Sequence, residues 1–520
     1  MSAIHTVTRP AGQSITPSHD HGGHGSRPAA SSSIWASQAL KTLYCLLGGV
    51  AIMLALPAGN GLTEYGVRFI AILIASMAMW IVVGTDWTAL LFLGLLVIGG
   101  ILTPGQVWAG SLGNPIVMLV LVYTMIAVCL ANNGVIDAVT AWFISRKFVE
   151  GRPYVFITMF FAANFALAII MHSFASFVVF LTMTIRLCKR LGIAKSHPLY
   201  ILLMLGNLWV TGIAAGASPI AKTLPNIIIG LVYEQLGIQI TYLQWLAVGL
   251  PFMALTLATT VLTIRLFKPD VSSLRDLDVP AFVAETPKMT KAGWIAIITT
   301  SVVIAMTLLP ELFLSFGWLT GISGWFMGLG IAVPAIVGIA FLSVTKVKGK
   351  PVLEPGPTFK EVPLSMLVFV GAIMVMGGPL SSDHTGVIPW LANLLDPVFG
   401  GMNPFLIVVF AVAGSIALTN FISNTVAGIL FFNLGVAIFF GAGLMDNTAM
   451  IIAFGIAISL ASSLAVLTPS ATIVTPMLFD AQHVTMANSI KYNMVWIALT
   501  FIVVAAFVPL AQVIVPALGL

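Results

Sequence analysis

The stretch GASPIAKTLPNIII carries a lysine, Lys222, in a region whose apolar residues predict a membrane span. No other Lys, Arg, Asp or Glu lies between Lys195 and Glu234. An ionisable group at the centre of a membrane helix costs about 2.5–3.5 kcal/mol on insertion scales, so such a group is a functional candidate by default. Lys222 could pair with an anion, stand in for a small cation, or extend its ammonium group to the membrane interface.

A second polar stretch, TNFISNTVAG, lies between two apolar runs further along the chain. Ser423, Asn424 and Thr425 offer two hydroxyls, an amide and backbone N–H groups, which can bind a carboxylate at the positive end of a half-helix. The amide oxygen of Asn424 could also face a small cation. About 45 residues later, Thr468 and Pro469 interrupt another apolar run, because proline breaks a helix and frees carbonyl groups.

The same spacing recurs about 250 residues earlier in the chain. Ser173 aligns with Ser423 at this offset, and Ser218, which is also followed by proline, aligns with Thr468. The distance from the polar tip to the break is therefore the same in both halves. We expect an internal repeat in which Ser173 and Ser218 occupy positions equivalent to those of Ser423 and Thr468.

The first of the two tips reads IIMHSFASFVV and lacks an asparagine. It offers the hydroxyls of Ser173 and Ser176 and the imidazole of His172. Because histidine titrates near neutral pH, His172 could carry a proton in a coupled cycle. We expect Ser173, Ser176, Ser218 and Lys222 to contact the ligand from this half of the repeat.

The elements that must position these residues are membrane-spanning helices. The chain has 520 residues, of which 59% are hydrophobic and 8% are charged, whereas soluble domains have about 25% charged residues. Many apolar runs approach the roughly 20 residues that a helix needs to cross a bilayer. We predict an all-α polytopic membrane protein with the lipid bilayer as a partner. We expect no nucleic-acid partner, because the basic residues lie in short loops between the spans.

The distribution of lysine and arginine predicts the topology, since basic residues concentrate in cytoplasmic loops. Suppose that two hairpins enter the membrane and return to the side from which they came. Nearly all of the 22 lysines and arginines then lie on the cytoplasmic side. This predicts about 11 transmembrane helices and two re-entrant hairpins, in an inverted repeat typical of secondary transporters. The N-terminus is expected in the cytoplasm and the C-terminus outside a bacterial inner membrane. The predicted units are a disordered tail (1–39), a first half (40–267) with an inward-opening hairpin (153–192), a cytoplasmic linker (268–291), and a second half (292–520) with an outward-opening hairpin (403–443).

A membrane-embedded enzyme is the alternative from another functional class. It would need a paired catalytic set, such as HExxH or two facing aspartates, and the predicted spans contain none. We therefore expect no enzymatic activity and no catalytic residues. A channel would need charges or carbonyls repeated along one axis, whereas inverted hairpins favour alternating access.

An SNT tip followed about 45 residues later by Thr-Pro resembles the divalent anion/sodium symporter family of the ion transporter superfamily. The stretch WIVVGTDWTALLFLGLLVIGGIL, residues 80–102, is similar to an early region of that family. This chain looks like a divergent member. The resemblance implies a homodimer in which a transport domain moves against a scaffold domain, as in an elevator. It also implies a small anionic substrate, such as a dicarboxylate, citrate or sulfate, with two sodium ions beside it.

The resemblance also implies roles for the residues that match the family motifs. The SNT tip and the break at Thr468 and Pro469 would contact the substrate. The second sodium ion would be bound by two side-chain oxygens and two backbone carbonyls. The residues that would supply these oxygens are Thr419 and Asn424 through their side chains, and Ile422 and Leu467 through their carbonyls.

The first half departs from the family pattern, since its tip lacks the asparagine and its break contains Lys222. A resident ammonium group would replace the lost sodium ion and would also neutralise part of the charge of a dianion. We therefore predict a secondary active transporter of small di- or tricarboxylate anions with reduced or absent sodium coupling, which works by exchange or with protons through His172. A sodium-coupled symporter of dicarboxylate or sulfate is the alternative. No cofactor is expected apart from Na⁺ as a coupling ion.

Overall fold

The computed structural model describes residues 37–146, 149–170, 173–220, 222–275, 277, 279, 281, 289–330, 332–399, 401–468, 471, 472 and 474–517. Within these ranges the fold is built from α helices and short turns, with a two-stranded antiparallel sheet in which Lys346–Val347 pairs with Lys350–Pro351. Two of the predicted site residues, His172 and Pro469, lie outside the described part of the chain.

The helices of the first half are α1 (Gln38–Ala55), α2 (Glu64–Val82), α3 (Thr88–Ile98), α4 (Pro104–Gly110), α5 (Pro115–Asn132), α6 (Val135–Ile144), α7 (Pro153–Ile170), α8 (Ser173–Arg190), α9 (Pro198–Ala217), α10 (Thr223–Leu236) and α11 (Tyr242–Leu266). Polar caps fix several of their starts. The side chain of Thr63 accepts a hydrogen bond from the N–H of Gly66 at α2, and Thr241 forms a capping box with Gln244 at α11. These caps satisfy N–H groups that have no partner within the helix.

The helices of the second half are α12 (Lys291–Ser315), α13 (Thr320–Gly328), α14 (Val333–Val344), α15 (Pro355–Glu361), α16 (Leu364–Ser381), α17 (Val387–Phe399), α18 (Pro404–Thr419), α19 (Asn424–Gly441), α20 (Thr448–Ser462), α21 (Thr475–Asp480) and α22 (Met486–Ala517). At α18, Asn403 caps the helix by accepting a hydrogen bond from the N–H of Phe405 (2.9 Å), and Pro404 occupies the first turn. Sequence signals therefore fix where the second hairpin begins.

Ten of the described helices are long and apolar enough to cross a membrane. Two further pairs are bent, α13 with α14 by 79° and α17 with α18 by 102°. The number of candidate spans rises to 12 if each bent pair counts as one span. The predicted all-α polytopic fold with about 11 transmembrane helices is confirmed by this architecture.

Two spans are broken, α9 from α10 and α20 from α21. In the first break, the backbone is extended at Ser218 and again at Lys222, so the chain leaves the helix and re-enters it within a few residues. Each helix pair that precedes a break packs on the broken span of its own half: α7 and α8 pack on α9, and α18 and α19 pack on α20. A hairpin tip and a break are therefore neighbours in both halves.

The two broken spans also pack directly against each other, because glycine lets α9 approach α20 closely. A Cβ atom added at Gly216 would lie 2.5 Å from the carbonyl oxygen of Ser459. The hydroxyl of Ser459 in turn donates a hydrogen bond to the carbonyl of Gly216 (3.0 Å). Helices in membranes typically associate through small residues at their contacts and through hydroxyls that donate hydrogen bonds across them.

The helix bounds differ from the sequence expectation in two places. The hydropathy pattern predicts a span over residues 87–103, but α3 ends at Ile98, where Gly99 and Gly100 precede the cap of α4. The same pattern predicts no span between residues 381 and 402, whereas the structure has α17 there, packed on α19. The prolines inside and beside α17 obscure its helical periodicity in the sequence.

Replacement of Gly249 by alanine should destabilise the contact between α9 and α11. The added methyl group would lie 2.0 Å from the carbonyl oxygen of Ala217, a backbone atom that cannot move without shifting its helix. We expect a loss of about 1–3 kcal/mol, as for other overpacked sites, measured as a lower melting temperature in detergent.

The matched control is Gly94→Ala in α3, where no heavy atom lies within 4 Å of the added Cβ. This variant should melt at the wild-type temperature or above it, because alanine favours the helix by about 1 kcal/mol. Equal melting temperatures for Gly249→Ala and Gly94→Ala would contradict the close approach of α9 and α11.

Candidate functional site

Lys222 joins the first break to the tip of the first hairpin. Its side chain is 3% exposed, and its Nζ donates a hydrogen bond to the hydroxyl of Ser173 (3.0 Å) at the start of α8. The ammonium group is thus directed into the protein, at the point where the half-helix α10 begins. This geometry does not support the interpretation that Lys222 extends to the membrane interface.

The other two hydroxyls predicted for the first half take part in buried hydrogen bonds. Ser218 donates to the carbonyl of Ile169 (2.9 Å) and accepts from the N–H of Ile220 (3.2 Å). Ser176 lies one turn into α8 and donates to the amide oxygen of Asn164 (2.8 Å) on α7. Both serines are fully buried, whereas Ser173 is half-buried. Ser173 and Lys222 are therefore the groups of this half that are best placed to meet a ligand.

In the second half, the SNT tip forms the start of α19. Ser423 is the N-cap residue, and its side chain makes no capping hydrogen bond. Ser423, Asn424 and Thr425 are all half-buried, and the hydroxyl of Thr425 lies 3.4 Å from the amide oxygen of Asn424. Three polar side chains and the positive end of a helix thus lie together at one partly accessible point.

The groups predicted around the second sodium ion make contacts of different kinds. Thr419 is buried and donates a hydrogen bond to the carbonyl of Ser462 (2.6 Å). The carbonyl of Leu467 accepts one from the hydroxyl of Ser489 (2.9 Å), and Ile422 is 9% exposed. Each of these oxygens keeps a lone pair, so the donor set remains chemically able to bind a small cation. Among the residues that the structure describes, no group of three or more His, Cys, Asp or Glu side chains could hold another metal ion.

The contact between tip and break is repeated in the two halves. Ser218 donates to the carbonyl of Ile169, 49 residues earlier, and Thr468 donates to the carbonyl of Asn420, 48 residues earlier. A hydroxyl at the break thus binds the last turn of the first hairpin helix in both cases. The equivalent contacts agree with the offset of about 250 residues that the sequence indicates.

Sequence reasoning missed Asn420, which ties the second tip to the second break. Its amide oxygen accepts hydrogen bonds from the N–H groups of Val466 (2.9 Å) and Leu467 (2.8 Å). Its amide nitrogen donates to the carbonyls of Ile416 (2.7 Å) and Leu464 (3.1 Å). The side chain is 1% exposed. The signal that could have found it is an asparagine next to Thr419 at the end of a long apolar run.

A buried polar cluster inside the first hairpin was also missed. The amide of Asn164 on α7 donates to the amide oxygen of Asn207 on α9 (3.3 Å), and Asn207 donates to the hydroxyl of Thr184 on α8 (2.7 Å). The hydroxyl of Thr211 lies 3.5 Å from the amide oxygen of Asn164. Asn164 and Asn207 therefore join three helices and do not form the tip itself.

The two halves meet between the first break and the second hairpin. A Cβ atom added at Gly428 on α19 would lie 3.0 Å from the side chain of Leu224, which follows Lys222 by two positions. It would also lie 2.9 Å from the hydroxyl of Ser462 on α20. The segment that carries the ammonium group and the helix that starts at the SNT tip are therefore packed against each other.

Comparison with known proteins identifies a family and a fold. A family model described as a citrate transporter matches residues 72–438. An uncharacterized transporter of Methanocaldococcus jannaschii is 25% identical over 235 residues, which are 45% of this chain and 49% of the relative. The chain thus aligns with about half the length of that curated relative.

A solved structure gives a likeness of fold over nearly the whole chain. The crystal structure of the Alcanivorax borkumensis YdaH transporter, described as having an unusual topology, matches with a TM-score of 0.50 at 12% identity. The match covers 91% of this chain and 98% of that one. Because the sequence identity is only 12%, the similarity concerns the fold alone.

Replacement of Asn420 by alanine should loosen the second tip and lower transport and stability together. The variant leaves two buried N–H groups and two buried carbonyls without their side-chain partner, at a cost of about 1–3 kcal/mol for each group that stays unsatisfied. The melting temperature in detergent and the uptake rate in proteoliposomes measure the two effects.

The matched control is Asn393→Ala on α17, because Asn393 makes an exposed hydrogen bond to the carbonyl of Asn60 at 3.4 Å. This control should keep the wild-type values. If Asn420→Ala melts and transports like Asn393→Ala, Asn420 does not hold the tip against the break.

Proposed function

The chain belongs to the citrate transporter family, and we propose that it is a secondary active transporter of small di- or tricarboxylate anions. Membership of the ion transporter superfamily, which the SNT and Thr-Pro motifs predict, is confirmed by this match. The fold, with its many candidate membrane spans, is similar to that of a solved transporter structure. We propose transport, and not an enzymatic reaction, as its activity.

The observation that carries the choice of substrate is the ammonium group of Lys222 beside Ser173. An ammonium group that is 3% exposed within a break of a membrane span is costly unless an anion or strong acceptors offset its charge. A carboxylate that approaches Ser173 would accept hydrogen bonds from the hydroxyl and from the ammonium group. Both bonds favour an anionic ligand over a neutral one.

The SNT tip would bind the other end of the same anion. The hydroxyls of Ser423 and Thr425 and the amide of Asn424 supply donors, and the uncapped start of α19 supplies N–H groups and a positive dipole end. Two or three carboxylates on one small molecule suit two anion-binding points on the two segments that pack together at Leu224 and Gly428. This supports a di- or tricarboxylate as the substrate.

We propose that Lys222 is the resident cation of the first half and that sodium coupling is reduced or absent. A sodium ion and an ammonium group offset the same part of the charge of a dianion, so a second cation in this half is not required. The transporter would then work by exchange, or with protons carried by His172. The hairpins and broken spans would move as an elevator, and the protein would be a homodimer. It would lie in an inner membrane with its N-terminus in the cytoplasm.

A sodium-coupled symporter of dicarboxylate or sulfate is the second candidate, and one observation favours it. The family resemblance assigns a sodium ion to the side chains of Thr419 and Asn424 and the carbonyls of Ile422 and Leu467, and the hydrogen bonds of Thr419 and Leu467 each leave a lone pair on the oxygen. A single sodium ion at this point is compatible with Lys222 in the first half. Sodium dependence of transport separates the two candidates.

The substrate class is tested in proteoliposomes with labelled citrate, succinate, malate and sulfate. We expect uptake of at least one of the carboxylates, and a loss of about tenfold or more in the double variant Ser423→Ala with Asn424→Ala. The reason is that each hydrogen bond to a charged group contributes about 1.5–3 kcal/mol. The initial rate of uptake below saturation is the quantity to compare.

The matched control combines Ser301→Ala with Asn393→Ala, two exposed positions away from the tips and breaks. It should transport like the wild type. If the double variant Ser423→Ala with Asn424→Ala folds and still takes up substrate at the wild-type rate, the SNT tip does not bind the substrate. Uptake of sulfate alone would replace the carboxylate class with an inorganic oxyanion.

A further inference from the structure

A second site lies away from the tips and breaks, in a cavity of about 590 Å³. Its walls come from the start of α5, the end of α10, the start of α11, the end of α12, and the bent pair α13 and α14. The volume lies in the range that holds a drug-sized ligand. None of the residues that carry the proposed transport site lines it.

Two carboxylates line the cavity. Glu311 on α12 is half-buried and bridges to the start of α11, where it accepts hydrogen bonds from the hydroxyl of Thr241 and from the N–H of Leu243 (3.3 Å). Glu234 on α10 is exposed and lies on the same cavity. Among the described lining residues there is no lysine, arginine or histidine. The charge of the cavity therefore suits a cationic group.

Part of the mouth of the cavity is apolar. Met118, Tyr233, Met327 and Ile336 all line it, and their side chains are 42–55% exposed. The neighbouring surface of α12 is apolar as well, with Leu309 exposed on the same helix as Glu311. An exposed apolar surface on a membrane helix suits contact with lipid chains, and on this side the cavity would open towards the bilayer.

We propose that this cavity binds an aminophospholipid of the surrounding membrane. The primary ammonium of the head group would donate hydrogen bonds to Glu311, which keeps free lone pairs beside those used by Thr241 and Leu243. The acyl chains would leave over Met327 and Ile336 into the bilayer. A soluble amine lacks chains to cover this mouth, and therefore the apolar rim favours the lipid.

A second copy of the chain is a less suitable occupant. The exposed apolar face next to the cavity belongs to α12, α13 and α14, and residues 292–345 contain no lysine, arginine or histidine. A partner that packed through the same face would bring no cation to Glu311. The carboxylate would then be covered by apolar side chains, which is unfavourable for a charged group.

The lipid would also connect helices that are distant in the sequence. It would lie between α10 and α11, which lead away from the Lys222 break, and α12, α13 and α14. Its binding does not depend on which anion the protein transports. The expected consequence is a higher melting temperature when the aminophospholipid is present.

The test uses delipidated full-length protein and three lipids with the same acyl chains. Phosphatidylethanolamine has a primary ammonium, phosphatidylcholine has a quaternary ammonium that cannot donate, and phosphatidylglycerol has no amine. Native mass spectrometry measures the bound fraction, and thermal unfolding measures the stabilisation. We expect phosphatidylethanolamine to be retained about tenfold more strongly than the other two, with the largest rise in melting temperature.

Glu311→Gln should remove this preference, because glutamine keeps the shape and one acceptor at α11 but loses the charge. The matched control is Glu361→Gln, since Glu361 lies outside the cavity and contacts Asn132. Ile336→Trp, which fills the mouth, provides a second variant that should lose lipid even if Glu311→Gln fails to fold. Equal retention of all three lipids by the wild type, or an unchanged preference in Glu311→Gln or Ile336→Trp, would overturn the proposal.

Discussion

The burial of one ammonium group sets a requirement that the neighbouring elements must meet. Lys222 lies at the start of a half-helix within a broken span, and it is almost completely removed from solvent. A charge in this position is stable only among acceptors or anions. Ser173 supplies an acceptor from the hairpin tip, and a bound carboxylate would supply a stronger one. The first tip and the first break are therefore held in one arrangement by the same group that would bind the substrate.

In the first break, the neutral amide of Asn226 donates to the carbonyls of Pro219 and Lys222. The second break is held by neutral groups alone among its described residues. The amide of Asn420 satisfies backbone groups on both sides of the break, and Thr468 binds the carbonyl of Asn420 in return. Freed backbone groups inside a membrane must find such partners, because no water replaces them. The two halves thus share the contact between hydroxyl and carbonyl but differ in charge, and this difference is the reason for proposing that they need cations unequally.

Much of this architecture can be predicted from the sequence, and the failures have physical reasons. Hydropathy and proline locate most of the spans and both breaks, since a break at Ser218 or Thr468 needs a local residue pattern, whereas α17 is missed because its prolines obscure the helical pattern. Asn420 could not be distinguished from Asn424 by spacing alone, because both are amides at the same tip and their roles depend on which one faces the break. The cavity beside Glu311 could not be predicted at all, since it depends on how helices distant in sequence pack.

Sodium-free exchange is the measurement that distinguishes a resident cation at Lys222 from a bound sodium ion. Proteoliposomes loaded with citrate would be given labelled citrate, with all sodium replaced by N-methylglucamine on both sides. If Lys222 is the resident cation, the wild type and Lys350→Met, a control at an exposed lysine, exchange citrate, whereas Lys222→Met loses exchange or recovers it only with sodium. A wild type that requires sodium, or a Lys222→Met variant that exchanges citrate without it, would show that Lys222 is not the resident cation.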